Sequence, residues 1–167
     1  DSVEFTSSLT EDLKRRDFTI NAMAYSHETG IVDEFGGMED LEKKIIRCVG
    51  RAHDRFTEDA LRILRAIRFA AQLNFDIEEE TYRAIADIAP NLKKVSKERI
   101  QVELTKLLLS DHPEKLLMVE ETGISPFVTE GRELRLYRMP SSSRAYPMKL
   151  EKKAVFYRKM LEEIGLL

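Results

Sequence analysis

Cysteine is almost missing from this 167-residue chain. Its one cysteine, Cys48, has no partner, which excludes an internal disulfide framework, fits a reducing compartment and reads as a core residue. Glycine and proline are sparse, at 7 and 5 residues, which argues against a loop-rich sandwich or a collagen-like chain. No apolar run approaches the ~18 residues a membrane helix needs, so no membrane partner is expected. A charged-then-apolar leader is also missing, and the expected location is cytoplasmic. His27, His53 and His112 are scattered without metal-ligand spacing, so no metal site is expected in this chain. His53, beside Asp54, reads as a loop residue. No internal repeat or low-complexity run stands out. The chain begins at Asp1 without methionine and stops at Leu167 just after a helical pattern, so a fragment of a longer protein is expected.

What is present suits a packed domain. Hydrophobic residues make up 43% and charged residues 34%, enough for a core and too patterned for disorder. The net charge of −3 is unevenly spread. From Glu28 to Ile46 there are six acidic and two basic residues; from Arg132 to Lys159 there are nine basic and two acidic. The basic stretch, interleaved with Tyr137, Tyr146, Phe156 and Tyr157, is either a solvated helix face or a patch for a polyanion such as RNA.

Propensity and punctuation give a coarse map. Residues 1–16 read as an extended entry and a short helix capped by Ser8 or Thr10, with Glu11 and Asp12 in its first turn. Asn21–Tyr25 and Ile31–Phe35, flanking a Gly30-containing loop, read as a β-hairpin. Gly36-Gly37 breaks the chain before a short helix, Met38–Ile46. Thr57–Leu73 is the strongest helical pattern, with Thr57 as N-cap. Further helices are expected from Glu78 to Ile88, from Ser96 to Leu109, from Pro113 to about Gly123, and from Lys149 to Ile164. A Pro- and Ser-rich linker at 140–147 precedes the last of them. The fold class is mainly α (α+β): a small β-hairpin at the front, then a helical stack.

The helix 57–73 carries an unusual polar face. Four arginines (Arg55, Arg62, Arg65, Arg68) and no lysine occur between 55 and 68. At ~100° per residue, Arg55, Glu58, Asp59, Arg62 and Arg65 share a sector of about 120°, and Arg68 falls outside it. Such a face is either solvated and laced with helical ion pairs or a recognition surface. An adjacent carboxylate and guanidinium can read a base: the carboxylate accepts from an exocyclic amino group and the guanidinium donates to a ring nitrogen. Cytosine and adenine offer that pair of groups. Guanine and uracil set donor against donor and acceptor against acceptor, at a cost of ~1–3 kcal/mol per unpaired group. In this scheme Asp59 and Arg62 are the readers and Glu58 braces Arg62. A second cluster, Arg15 to Asn21, is either a surface turn or a corner where arginine meets phosphate and aspartate a ribose hydroxyl.

These segments resemble a known family. Arg15-Arg16-Asp17-Phe18-Thr19-Ile20-Asn21-Ala22-Met23-Ala24 is similar to a motif of the class II tRNA nucleotidyltransferases and bacterial poly(A) polymerases. Asp33-Glu34-Phe35-Gly36-Gly37-Met38-Glu39-Asp40-Leu41 resembles their next motif, and Arg55 to Phe69 their base-selecting helix. Ser96-Lys97-Glu98-Arg99-Ile100, followed by Glu103-Leu104, looks like the segment after it. The motifs stand in the family's order between Leu9 and Leu109, about 60% of the chain.

The resemblance implies a template-independent enzyme adding C and A residues to tRNA 3′ ends from CTP and ATP. It implies Asp59 and Arg62 as base readers, Glu58 as the brace, and Arg65 and Arg68 near the nucleotide's phosphates or sugar. Arg16 and Asp17 would hold phosphate and ribose, and Asn21 would support that corner. The family's head also carries a Gly-Ser turn and a paired-aspartate strand for two Mg²⁺ ions, and neither occurs here. No catalytic residue is therefore expected in this chain, which should bind nucleotide without catalysis. Mg²⁺ ligands are expected on a missing part of the head. The expected divisions are 1–36 as the end of a nucleotidyltransferase head, 37–125 as a helical neck, and 126–167 as the start of a body with a possible RNA-binding segment. A poly(A) polymerase or a CC- or A-adding enzyme shares these motifs. A catalytically silent RNA-binding helical module and a purely structural scaffold are the readings from other classes.

Overall fold

The computed structural model describes residues 9–128, which belong to one compact unit. The expected entry at 1–8, the linker at 140–147, the basic stretch 132–159, the helix 149–164 and most of the segment 126–167 lie outside the described residues.

The fold is mainly α with a small β-hairpin, as the sequence implies. Helix α1 (Leu9–Lys14) leads into a 3₁₀ turn at Thr19–Asn21 and the hairpin β1 (Ala24–Ser26) and β2 (Gly30–Val32). Its register pairs Ala24 with Val32, Tyr25 with Ile31 and Ser26 with Gly30. The expected strand start at Asn21 is instead that 3₁₀ turn, because the Asn21 and Ala22 N–H groups donate to the Phe18 and Thr19 carbonyls, each at 2.9 Å.

Helix α2 (Gly37–Lys43) ends earlier than the expected Ile46. Lys44 takes a left-handed φ of 56° and the chain then turns into β3 (Ile45–Ile46). Gly37 is required by close approach: a Cβ there would stand 2.3 Å from the Thr19 carbonyl oxygen. Asp33 fixes the start of α2 by accepting from the Gly37 and Met38 N–H groups, each at 2.8 Å.

Strand β3 pairs in parallel with β4 (Asp76–Ile77), Ile45 opposite Asp76 and Ile46 opposite Ile77. The segment continuing from β3 is joined on its other side by Phe18 and Cys48 in an antiparallel bridge. This short central ribbon ties the hairpin region to the helices.

The strong helical pattern is two helices. Helix α3 (Ala52–Glu58) stops at Asp59, whose φ of −146° and ψ of 103° are extended, and α4 (Leu61–Leu73) begins after Ala60. Thr57 is therefore not an N-cap; its hydroxyl donates back to the His53 carbonyl at 2.7 Å inside α3. His53 lies in that helix, not in a loop. At the break the Asp59 Oδ1 accepts from the Leu61 N–H at 3.0 Å, a local side-chain-to-backbone bond that competes with a helix interior. It also lets the two halves face different partners: α3 packs on α5 (Glu79–Ile88) and α4 on α6 (Lys97–Leu108). Glu78 caps α5 through its carboxylate, and Ser96 caps α6, close to the expected limits. The expected helix from Pro113 is a 3₁₀ turn, Pro113–Leu116, followed by α7 (Leu117–Glu121), before α8 (Ser125–Val128).

The core joins these layers. Phe18, Phe56, Ile63, Leu64, Ile67, Ile85, Leu92, Leu107 and Ile124 are buried. Phe18 meets Phe69 edge-on, ring centroids 5.8 Å apart. Cys48 is a buried core residue, as expected, and burial pushes its thiol up to about 12, so it is chemically quiet.

Candidate functional site

The two motif clusters, far apart in sequence, meet in one cleft. It has a volume of about 520 Å³ and is lined by Arg15, Arg16, Asp17 and Asn21 from the end of α1 and the 3₁₀ turn, Asp59 from the helix break, Leu61, Arg62 and Arg65 from α4, and Arg99 from α6. Five guanidiniums face two carboxylates, so the cleft is strongly positive, and its size suits a small molecule.

Each charged group in it is held. Arg62 donates to Glu58 Oε2 at 2.9 Å and, at 3.2 Å each, to the carbonyls of Arg55 and Arg15. Glu58 also accepts from Arg55 at 2.5 Å. Glu58 thus stands where a brace for Arg62 was expected, and the Arg15 carbonyl adds a second one from the other motif. Asp17 is buried. Its Oδ2 accepts from Arg65 Nε at 2.8 Å and Nη2 at 2.5 Å, and its Oδ1 accepts from Asn21 at 3.1 Å and the Phe18 N–H at 2.9 Å. Burial pushes the Asp17 carboxyl up, but the bonds from Asn21 and Arg65 and the Arg65 charge outweigh it, leaving the group below the usual aspartate value. Asp12, outside the cleft, accepts from both Arg15 and Arg16, and these bonds, Arg16's first, lower its carboxyl.

Asp59 does not share a helix turn with Arg62 in the way a continuous helix implies. It reaches the same cleft from the extended break, with Oδ1 on the Leu61 N–H and Oδ2 accepting from Arg99 at 2.9 Å. Seven of the eight expected residues come together. Arg16, Asp17, Asn21, Asp59, Arg62 and Arg65 line the cleft, and Glu58 bonds to one of them. Arg68 is placed elsewhere. It is buried between α4 and α6, donating to Glu103 Oε2 and Gln72 Oε1 at 2.6 Å each and lying 3.9 Å over the Phe69 ring. The helical wheel already put it off the polar face. Arg15, Leu61 and Arg99 are additional lining residues. Arg15 and Arg99 stand inside quoted motifs, but Arg99 reaches the cleft only through the packing of α6 on α4.

The head domain of poly(A) polymerase matches residues 1–47, and a region described as the probable RNA and SrmB-binding site of polymerase A matches residues 74–131. The CCA-adding enzyme of Leuconostoc mesenteroides is 56% identical over 117 residues, which is 70% of this chain and 29% of that protein. The chain belongs to the class II CCA-adding enzyme family.

Solved members of the family share the fold. The crystal structure of the Bacillus stearothermophilus CCA-adding enzyme in complex with CTP has a TM-score of 0.72 at 46% identity, over 74% of this chain and 31% of that one. The Thermotoga maritima CCA-adding enzyme complexed with tRNA has a TM-score of 0.70 at 32% identity, over 77% and 33%. The chain spans less than a third of the length of the Leuconostoc protein.

Nucleotidyltransferases of this kind work with a divalent metal ion, and the described residues do not suit one. No group of three or more His, Cys, Asp or Glu converges among them. Asp17 and Asp59 are each engaged by a guanidinium in a cleft of net positive charge. No helix among the described residues is long and apolar enough to cross a membrane.

Proposed function

We propose that the cleft holds the base and phosphates of CTP or ATP, and that this chain supplies the base-selecting part of an enzyme adding C and A to tRNA 3′ ends. One observation carries the reading: a fixed carboxylate, Asp59, and a fixed guanidinium, Arg62, line one cleft that four further guanidiniums make positive. Asp59 accepts from the exocyclic amino group, and Arg62, its plane set by Glu58 and two carbonyls, donates to the ring nitrogen. Arg15, Arg16 and Arg65 supply the field for a triphosphate. Asp17 and Asn21 hold the ribose corner. In this reading the first 36 residues belong to the end of the head, residues 37–125 to the neck and residues 126–167 to the start of a body. Residues outside those described would hold the metal ions, so the part of the described residues is binding and selection. The names of the curated relatives favour CCA addition. The family models, named for poly(A) polymerase, keep ATP-only addition as the second reading, and the same two residues would serve it.

A chimera tests this. Residues 9–125 replace the matching segment of the Leuconostoc enzyme, and incorporation into a tRNA lacking its 3′ CCA is followed with each of the four nucleotides. The chimera should add C and A. Asp59→Ala or Arg62→Ala should lower the preference for CTP over UTP by at least about tenfold, the loss expected for one unmatched pair of groups. Unchanged choice among the four nucleotides in both variants would remove the base-reading assignment.

A further inference from the structure

We propose that Arg99 is a positioning residue for base selection, holding the Asp59 carboxylate in its reading orientation, and that the buried Arg68–Glu103 pair sets Arg99 in place. The inference rests on the assignment of Asp59 as a base reader.

Asp59 stands on an extended break between two helices, so no helical turn restrains its side chain. Two donors do. The Leu61 N–H holds Oδ1 at 3.0 Å, and Arg99 Nη2 holds Oδ2 at 2.9 Å. A carboxylate oxygen has two lone pairs, so each pinned oxygen keeps capacity for an incoming amino group. With both oxygens pinned the carboxylate has one rotation. A base carbonyl in place of an amino group then meets a fixed acceptor and pays the full mismatch. A carboxylate held by Leu61 alone can turn aside, and the mismatch weakens. Arg99 therefore acts on discrimination more than on affinity.

Arg99 comes to this position from a separate helix. Glu103 lies one turn further along α6, and it accepts from Arg68 Nε at 2.6 Å in a contact where both side chains are under 10% exposed. Lys106 adds a 3.6 Å ion pair to the same carboxylate. This pair fixes the register of α6 against α4, and with it the reach from Arg99 to Asp59. The family motif implies a place near the nucleotide for Arg68; in the fold it acts through α6.

The test is equilibrium dialysis of labelled CTP and UTP against the 167-residue chain carrying Arg99→Ala, Arg99→Lys or Asp59→Asn. Arg99→Ala should shrink the CTP-to-UTP affinity ratio by about tenfold, mainly by tighter UTP binding, with CTP affinity changed by less than about threefold. Arg99→Lys should fall between, because a point charge reaches the carboxylate without a planar fork. Asp59→Asn should abolish the preference. An unchanged ratio in Arg99→Ala, with the ratio lost in Asp59→Asn, overturns the role of Arg99 and leaves base reading intact. An equal drop for both nucleotides in Arg99→Ala also overturns it, because Arg99 would then only attract phosphate. A wild-type ratio in Asp59→Asn removes the base-reading assignment itself.

Discussion

Arg68→Ala should lower the unfolding free energy by about 3 kcal/mol or more, read from urea denaturation followed by circular dichroism. The change leaves Glu103 buried with only Lys106, 3.6 Å away, as an ion-pair partner. It also removes the donor to Gln72 and the guanidinium over the Phe69 ring. Buried pairs lose most when one member is taken, because the remaining charge is stranded. The double variant Arg68→Met with Glu103→Leu should recover most of the loss, since apolar side chains of similar volume replace such pairs at little cost. A loss below about 0.5 kcal/mol for Arg68→Ala is the size expected of an exposed ion pair and would contradict the burial of this one.

Asp17→Asn should destabilise the protein by about 1.5–3 kcal/mol at neutral pH, and the gap to wild type should close on acidification. The folded carboxyl titrates below its ordinary value of 3.8. Its contribution is therefore fully present above that value and is lost as pH falls through the lower, folded one. Asp33 and Glu78 are also held low, mainly by backbone N–H groups that outweigh the effect of burial, and they add to the acid sensitivity of both proteins. The difference between wild type and variant cancels them and isolates Asp17. A gap that stays constant from about pH 7 to pH 2 would mean that the pair with Arg65 contributes no charge-dependent stability.

Much of this site was legible because its chemistry sits in long local motifs. Arg16, Asp17 and Asn21 fall within seven residues, and their convergence needs only one tight turn. Glu58, Asp59 and Arg62 are close enough in sequence that the face they share was visible, although the local backbone was not. The break at Asp59 was hidden by its neighbours: Thr57 is a plausible cap and Ala60-Leu61 are good helix formers. What decides the break is tertiary, because α3 packs on α5 and α4 on α6. Strands β3 and β4 are two residues each and some thirty residues apart, too short for a period-two signal. Arg68 lies away from the cleft for a related reason. Its motif suggests the nucleotide, and only the packing of α6 reveals Glu103 as its partner. Arg99 was overlooked in the same way, since nothing in its own segment points toward Asp59.

The central claim is that this cleft distinguishes bases by an amino group beside a ring acceptor. Calorimetric titration of the 167-residue chain with each of the four nucleoside triphosphates tests it most directly. CTP and ATP should bind at least about tenfold more tightly than UTP and GTP. Equal binding of all four, or no binding of any, would contradict the account.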